Sequence, residues 1–178
     1  VLRERAAGTG SERGLGSGLK GDTMHDNVSI ASYAFHGLLR EGAIDVFAYL
    51  ETVKYRYDAQ ADIWNGMLPT TDREFLLKVR RALDERGLEL ANLCVDGAHI
   101  WEDDPDRREA NYRNALAHLE AGEILGAKTV RIDAGGAHDA HTFTTEQMDL
   151  IVKRYREFAH RASQGGYRVG PENHWGPE

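Results

Sequence analysis

The sequence predicts an α/β fold of repeated parallel strand–helix units, with about five strands and four helices. Short runs rich in β-branched and aromatic residues alternate along the chain with longer segments of helical apolar periodicity. The runs recur roughly every 35 residues, a typical length for one strand, one crossover helix and their loops. This alternation favours a parallel sheet with right-handed crossovers, so the loops that follow the strands should gather on one side.

The five predicted strands are short and begin near positions 28, 58, 88, 128 and 167. In order, their segments read VSIASYAF, DAQADIW, LELANLCV, KTVRID and YRVGPE. Each segment contains branched or aromatic side chains, which pack well on a pleated surface.

The first two predicted helices follow the first two strands. The first covers about residues 45–57, and the second begins with a Thr71-x-x-Glu74 capping box and ends at Gly87. The apolar face of the second helix comprises Phe75, Leu76, Val79 and Leu83. We expect this face to pack on the sheet.

The other two predicted helices are longer. The third covers about residues 106–125, and the charged run at residues 102–109 places acids at the positive end of its dipole. The fourth begins with a Thr144-x-x-Gln147 capping box. The glycines that end these two helices are Gly126 and the pair Gly165-Gly166. The apolar stripe of the fourth helix comprises Met148, Ile151, Val152, Tyr155, Phe158, Ala159 and Ala162.

Two architectures accommodate these elements. Eight units of this length would need about 280 residues, near the size of a (β/α)8 barrel, so the sequence would form an incomplete barrel that lacks the last three units. A doubly wound sheet of five strands would fit the length without any loss. The turn after the first strand, at residues 35–39, contains one glycine, which disfavours the nucleotide-binding version of the doubly wound sheet.

Composition narrows the classes of partner. The chain has 178 residues, of which 41% are hydrophobic and 29% charged, and these values are typical of one globular domain. Its net charge of −7 disfavours nucleic acid and anionic membranes as partners, because both are bound through clustered lysine and arginine. No apolar run approaches the roughly 20 residues that cross a bilayer. We therefore expect a small-molecule partner.

The first 24 residues are interpreted as a flexible tail or leader. Residues 1–24 are rich in glycine and arginine and lack apolar periodicity, so the folded domain should comprise residues 25–178, with Met24 as a candidate natural start. The single cysteine, Cys94, lies in an apolar run and is predicted to be a buried structural thiol. A lone reduced cysteine favours a cytoplasmic location.

The segment after the fifth strand is the leading candidate site. Glu172, His174 and Trp175 place a carboxylate, an imidazole and an indole at the carboxyl end of a predicted parallel strand. In α/β proteins this position holds substrate and metal ligands. His174 lies two residues beyond Glu172, and therefore on the same side of an extended backbone.

Other predicted strand ends supply further candidates. Trp64 follows the second strand and, with Trp175, is predicted to form an apolar wall for a sugar face. His99 follows the third strand, and Arg131 and Asp133 end the fourth, so all three are candidate substrate ligands. The spacing His138-x-x-His141 resembles a metal motif, but without a third ligand we interpret these histidines as solvated loop residues.

Four of these segments together resemble a known family. SIASYAF, ADIWNG, RIDAGG and PENHWG are similar to the sugar phosphate isomerase/epimerase family of xylose isomerase-like TIM barrels. The resemblance covers about residues 28–178 and implies that residues 25–178 are the N-terminal portion of such a barrel.

The resemblance also implies a chemistry. It implies a divalent metal (Mn²⁺, Mg²⁺, Co²⁺ or Zn²⁺) held partly by Glu172, with Glu172 sharing acid/base work and His174 contacting the substrate. The expected reaction is isomerisation or epimerisation of a sugar or sugar phosphate by proton transfer through an enediolate. In the family, the other metal ligands and a second glutamate come from later strands, which this sequence does not contain. We therefore expect this chain alone to be inactive.

Two alternatives remain. The chain would be a non-catalytic partial-barrel subunit or remnant that binds a partner, or associates with itself through an exposed sheet edge. A metal-dependent endonuclease of the same superfamily is the second alternative, which the acidic balance of the sequence disfavours.

Overall fold

The computed structural model of the chain describes residues 28–136 and 142–172. The predictions for the tail at residues 1–24, for His138 and His141, and for His174 and Trp175 lie outside these residues. The described part is a single parallel sheet with helices on its outer face.

Five parallel strands form the sheet, which confirms the predicted strand count. They are β1 (Ser29–Ala31), β2 (Gln60–Trp64), β3 (Leu90–Val95), β4 (Thr129–Asp133) and β5 (Arg168–Glu172). Their spatial order is β1-β2-β3-β4-β5, identical to their order along the chain. A doubly wound sheet reverses its strand order at a switch point, whereas a barrel adds each strand beside the last. The sheet therefore corresponds to part of a TIM-type barrel.

The end of β1 differs from the prediction. The segment VSIASYAF was expected to be extended as far as Phe35, but the strand ends at Ala31. The backbone N–H of Trp64 donates to the buried Ser32 hydroxyl at 2.8 Å, so a side chain replaces the next rung of the ladder. A 3₁₀ turn (Ser32–Phe35) and a short helix, α1 (His36–Arg40), follow instead.

The four predicted helices are present, and α1 is additional. They are α2 (Val46–Thr52), which continues into a π-helical turn (Val53–Tyr57), α3 (Arg73–Arg86), α4 (Pro105–Leu125) and α5 (Thr145–Gly165). The last three end as predicted, because Gly87, Gly126 and Gly166 adopt the left-handed conformation that glycine tolerates best.

One of the two predicted capping boxes is confirmed. At the start of α5, the Thr144 N–H donates to Gln147 Oε1 at 2.8 Å, and the Gln147 N–H donates to Thr144 Oγ1 at 3.3 Å. The predicted box at Thr71 and Glu74 is wrong. Helix α3 begins one residue later, with Asp72 at its N-cap, and this residue makes no capping bond through its side chain.

The core lies between the sheet and the helices. The strand side chains at its centre are Ile63, Leu93, Val130 and Ile132, all fully buried. On α5, Ile151, Phe158 and Ala162 are buried, but Met148 is 44% exposed and Val152 is 37% exposed. The predicted stripe on α5 is therefore wider than the face that packs on the described residues. No helix in this part of the chain is long and apolar enough to span a membrane.

Candidate functional site

The inner face of the sheet carries polar side chains in two rows, because neighbouring strands pair in parallel register. In the lower row, Asp62 of β2 lies opposite Asn92 of β3, which lies opposite Thr129 of β4. In the upper row, which lies two residues further along each strand, Trp64 is opposite Cys94 and Cys94 is opposite Arg131. Side chains two residues apart on a strand point to the same face, so each of these three strands contributes one residue to each row.

A register shift in β3 creates the lower row. Ala61 pairs with Leu90, but the next residue of β2, Asp62, pairs with Asn92, so β3 contains one extra residue at Ala91. Asn92 Nδ2 consequently donates to Asp62 Oδ1 at 3.2 Å. The Thr129 hydroxyl lies 2.9 Å from the Ala91 carbonyl oxygen and 3.0 Å from Asn92 Oδ1. Thr129 thus contacts both the bulged residue Ala91 and the side-chain amide of Asn92.

Tyr49 of α2 fixes the backbone of Asp62 from the outer side of the sheet. Its buried hydroxyl donates to the Ile30 carbonyl oxygen at 2.6 Å and accepts from the Asp62 N–H at 2.9 Å. Burial raises the pKa of the Asp62 carboxyl, and the hydrogen bond from Asn92 and the charge of Arg131 oppose that shift. The carboxyl is therefore held in place on a rigid strand.

Arg131 is the centre of the upper row. Nη1 lies 3.0 Å from Asp133 Oδ1 and also contacts the Glu172 carboxylate, while Nη2 lies 3.2 Å from Asp96 Oδ1. Nη2 also contacts the Cys94 thiol. Burial raises the pKa of this thiol, and the Arg131 guanidinium partly opposes that rise. Three carboxylates from three strand ends thus share one guanidinium.

His99 and Asp133 form a pair beside this cluster. His99 Nε2 lies 3.3 Å from Asp133 Oδ2, and the Asp133 side chain is only 2% exposed. The hydrogen bond with Asp133 raises the pKa of His99 above its ordinary value, and this effect outweighs that of burial. The loop that carries His99 is fixed by backbone bonds, because Ile100 N–H donates to the Asp133 carbonyl oxygen at 3.1 Å and Trp101 N–H donates to that of Ala134 at 2.8 Å.

Aromatic rings border the other side of the site. The Tyr33 ring meets the Trp64 ring edge-on, with centroids 5.1 Å apart, and stacks on the His36 ring at 4.7 Å. Trp64 Nε1 donates to Asp96 Oδ2 at 2.6 Å, which fixes the indole against the end of β3. Tyr33 is half exposed, so this wall is open to a ligand.

A cavity of about 310 Å³ lies beside these groups on the inner face of the sheet. Its lining is Ala31, Tyr33, Asp62, Trp64, Asn92, Cys94, Arg131 and Glu172. A cavity with an aromatic wall and a few convergent polar groups has the character of a small-molecule site.

The structure brings five of the predicted site residues together: Trp64, His99, Arg131, Asp133 and Glu172. The sequence analysis missed Tyr33, which it placed in a strand, and did not single out Asp62, Asn92 and Asp96. Cys94 was expected in the core and instead contacts Arg131 on the cavity wall. The two-residue spacing of Asp62 from Trp64 and of Asn92 from Cys94 is a signal that could have found the lower row.

The described residues do not by themselves fit a divalent metal. Among them, no group of three carboxylate, imidazole or thiol side chains is arranged to hold a metal ion. Glu172, to which the resemblance gives a metal-binding role, contacts the guanidinium of Arg131. A defined metal geometry needs several ligands, and the described side chains do not supply them together.

Comparison with known proteins agrees with the fold. A family model described as xylose isomerase-like TIM barrel matches residues 50–178. The chain is similar to the crystal structure of 3-keto-D-glucoside 4-epimerase from E. coli, with 16% identity and a TM-score of 0.54, over 71% of this chain and 50% of that one. A comparison with curated proteins gave no significant match.

Two further solved structures show the same likeness. The probable 3-DHS dehydratase of petrobactin synthesis from Bacillus anthracis matches at 15% identity and a TM-score of 0.58, over 84% of this chain and 53% of that one. A xylose isomerase-like TIM barrel protein from Mycobacterium smegmatis, in complex with magnesium, matches at 16% identity and a TM-score of 0.53, over 72% of this chain and 47% of that one. The chain thus spans about half the length of these structures, which show a common fold.

Proposed function

Because the chain belongs to the xylose isomerase-like TIM barrel family, we propose that it forms the substrate-binding and proton-transfer side of a sugar or sugar phosphate isomerase/epimerase site. The observation that carries the proposal is the convergence of Glu172, Arg131 and the pair of His99 with Asp133 beside one cavity at the carboxyl ends of the strands. In barrel enzymes, catalytic residues come from the ends of several strands at this face.

Glu172 is the proton-transfer group in this proposal. Its carboxylate takes the proton from the carbon next to the substrate carbonyl, and the electron pair of the broken C–H bond forms the double bond of the enediolate. The carbonyl π electrons move to its oxygen at the same time. Return of the proton to the former carbonyl carbon, with transfer of the hydroxyl proton from the neighbouring oxygen to this one, completes isomerisation, whereas return to the opposite face of the same carbon gives the epimer. The adjacent Arg131 guanidinium stabilises the negative charge that develops on the substrate oxygen.

His99 supports the same step by donating a proton or a hydrogen bond to that oxygen. Its imidazole is oriented by Asp133, and the negative charge of Asp133 favours the protonated, donating form. The rings of Tyr33 and Trp64 supply an apolar surface for the carbon skeleton of the sugar. The described side chains thus divide into a proton carrier, a pair that stabilises charge and an aromatic wall.

The test is exchange of the α-proton of a ketose. The 178-residue chain is incubated in D₂O with D-fructose or D-fructose 6-phosphate, with and without Mn²⁺, and loss of the proton signals next to the carbonyl is followed by NMR. The missing later strands led to the expectation that this chain alone is inactive, whereas the convergence of Glu172, Arg131 and His99 leads us to propose slow exchange by it. That exchange should fall about 100-fold or more in Glu172→Gln, the usual size of a general-base contribution. The matched control is Glu120→Gln, an exposed glutamate on α4, which should leave the rate unchanged. Absence of exchange under all conditions would overturn the proposal.

A non-catalytic role is the second candidate. Within the described sheet, β1 and β5 each pair with one strand, so each presents an open edge that favours pairing with another chain. This candidate predicts that the chain forms dimers or larger assemblies at micromolar concentration in sedimentation experiments, and that it does not exchange the ketose proton. A monomer with exchange would rule it out.

A further inference from the structure

We propose that a cavity between α4 and α5 binds a small carboxylate with an aromatic body, an arylalkanoate, and that Arg108 is the residue that holds the carboxylate group. This cavity has a volume of about 260 Å³ and shares no lining residue with the cavity on the inner face of the sheet. The inference therefore goes beyond the proposed isomerase or epimerase reaction and does not depend on it.

The floor of this second cavity is apolar. Ala98 and Ile100 of the loop after β3 are buried, as is Phe158 of α5, and Leu150 of α5 also lines the cavity. The Tyr112 ring of α4 stacks on the Phe158 ring, with the two planes 17° apart. The volume is near the lower end of the usual range for small-molecule sites, roughly 300–1,000 Å³, so it fits a single ring with a short chain.

Arg108 supplies a positive charge at the border of this floor. Its guanidinium carbon lies 4.3 Å from the centroid of the Trp101 ring, and this stacking holds the side chain on a fixed platform. Among the described residues, Arg108 forms no ion pair and no side-chain hydrogen bond, so its N–H groups are open to a ligand. A guanidinium with open donors binds a carboxylate through two parallel hydrogen bonds.

The other charged side chains that line this cavity have partners. Arg154 Nη1 lies 3.1 Å from Glu157 Oε2. Glu109 lies 3.9 Å from Arg113 on the surface of α4. In the described part of the chain, the lining charge that stays unbalanced is therefore that of Arg108, and a ligand with one negative charge balances it.

The test is titration of the ¹⁵N-labelled 178-residue chain with 3-phenylpropionate, with its neutral amide and with acetate. We expect the acid to bind at least about tenfold more tightly than the amide, the scale of one hydrogen bond to a charged group, because the amide lacks the negative charge. Acetate, which lacks the ring, should show no saturable binding. The bound acid should shift the indole N–H signal of Trp101 and leave that of Trp64 unchanged, because Trp64 lines the other cavity.

Arg108→Gln should weaken binding of the acid about tenfold, because it removes the charge that holds the carboxylate. The matched control is Arg107→Gln, which removes the same charge from the preceding, exposed residue of α4 and should leave the affinity unchanged, since Arg107 does not line the cavity. Thermal melting checks that both variants fold, and the comparison of the three ligands on the unaltered chain needs no variant.

Several outcomes would each overturn the inference. They are equal binding of the acid and its amide, an affinity that is unchanged in a folded Arg108→Gln or equally reduced in Arg107→Gln, and the absence of saturable binding of the acid. A shift of the Trp64 signal in place of that of Trp101 would overturn it as well, because the carboxylate would then lie in the cavity on the inner face of the sheet.

Discussion

His99 Nε2 lies 3.3 Å from Oδ2 of Asp133, a carboxylate whose side chain is only 2% exposed. Asp133 also accepts from Arg131 at 3.0 Å, so its buried charge is balanced from two sides. This arrangement ties the end of β4 to the loop after β3 and makes the protonation of one imidazole sensitive to one carboxylate.

We expect the pKa of His99 to lie above 6.5, because Asp133 stabilises the imidazolium. A pKa that is higher in the folded than in the unfolded state means that protonation stabilises the fold. This contribution is fully present below about pH 6.5 and is lost as the pH rises through the pKa of the folded state. The ¹⁵N signals of the histidine rings measure the pKa directly, and Asp133→Asn should lower it. An unchanged His99 pKa in that variant would contradict the assignment of the cause.

The stability of the unaltered chain should therefore decline more between pH 6 and pH 8.5 than that of His99→Gln. Urea unfolding at the two pH values measures this difference. The control is His160→Gln on α5, an exposed histidine without a carboxylate bond among the described residues. A His160→Gln chain should retain the pH dependence of the unaltered one.

Replacing Arg131 with methionine should destabilise the fold by about 3–5 kcal/mol, because it leaves the buried Asp133 carboxylate without its main counter-charge. Denaturant unfolding at pH 7 measures the change. Arg113→Gln is the matched control, since Arg113 is 69% exposed and pairs with Glu109 at 3.9 Å on the surface of α4. Its loss should change the free energy of unfolding by less than about 0.5 kcal/mol. A cost for Arg131→Met as small as that of the control would show that the cluster is not tightly coupled.

Two alanine substitutions on α5 distinguish its packed face from its open face. Phe158 is 1% exposed, and Phe158→Ala should cost about 3–5 kcal/mol through lost burial and a cavity. Val152 is 37% exposed, and Val152→Ala should cost less than about 1 kcal/mol. Comparable costs for the two would indicate that Val152 is covered in solution, for example by self-association. Repeating the unfolding over a range of protein concentrations would detect such an association.

Gly126 ends α4 with φ +70°, and a methyl group at this position would collide with the Arg80 side chain. Arg80 Nη1 donates to the Leu125 carbonyl oxygen at 2.9 Å, so the collision would disturb a helix-end hydrogen bond. Gly42 has a similar φ of +67° but open space around it, so Gly42→Ala should show only the conformational cost of about 1–2 kcal/mol. Gly126→Ala should cost about 1 kcal/mol more. Equal melting temperatures for the two variants would mean that Arg80 moves aside freely.

Most elements of the fold were predictable, because their signals are local. Apolar spacing and terminal glycines located α3, α4 and α5, and branched and aromatic residues located the five strands. The two errors in element boundaries also have local causes. Ser32 replaces a backbone partner of Trp64 and ends β1 early, and Asp72 becomes the N-cap in place of Thr71.

The candidate site was only partly predictable. Residues directly at strand ends, such as Asp133 and Glu172, could be assigned because parallel strands bring their carboxyl ends together. Asp62 and Asn92 lie inside the strands, and their meeting depends on the extra residue at Ala91 in β3. With regular pairing, Asp62 would lie opposite Ala91 and no polar row would form.

By itself, the sequence determined which segments are strands and helices, and at which edge of the sheet polar side chains collect. These properties follow from local propensity and from the period of the side chains. The tertiary structure decided the strand order, the sharing of Arg131 among Asp96, Asp133 and Glu172, and the pairing of Asp62 with Asn92. The contacts between strands join residues 30 or more positions apart and depend on strand register, and a shift of one residue in a strand changes which side chains meet.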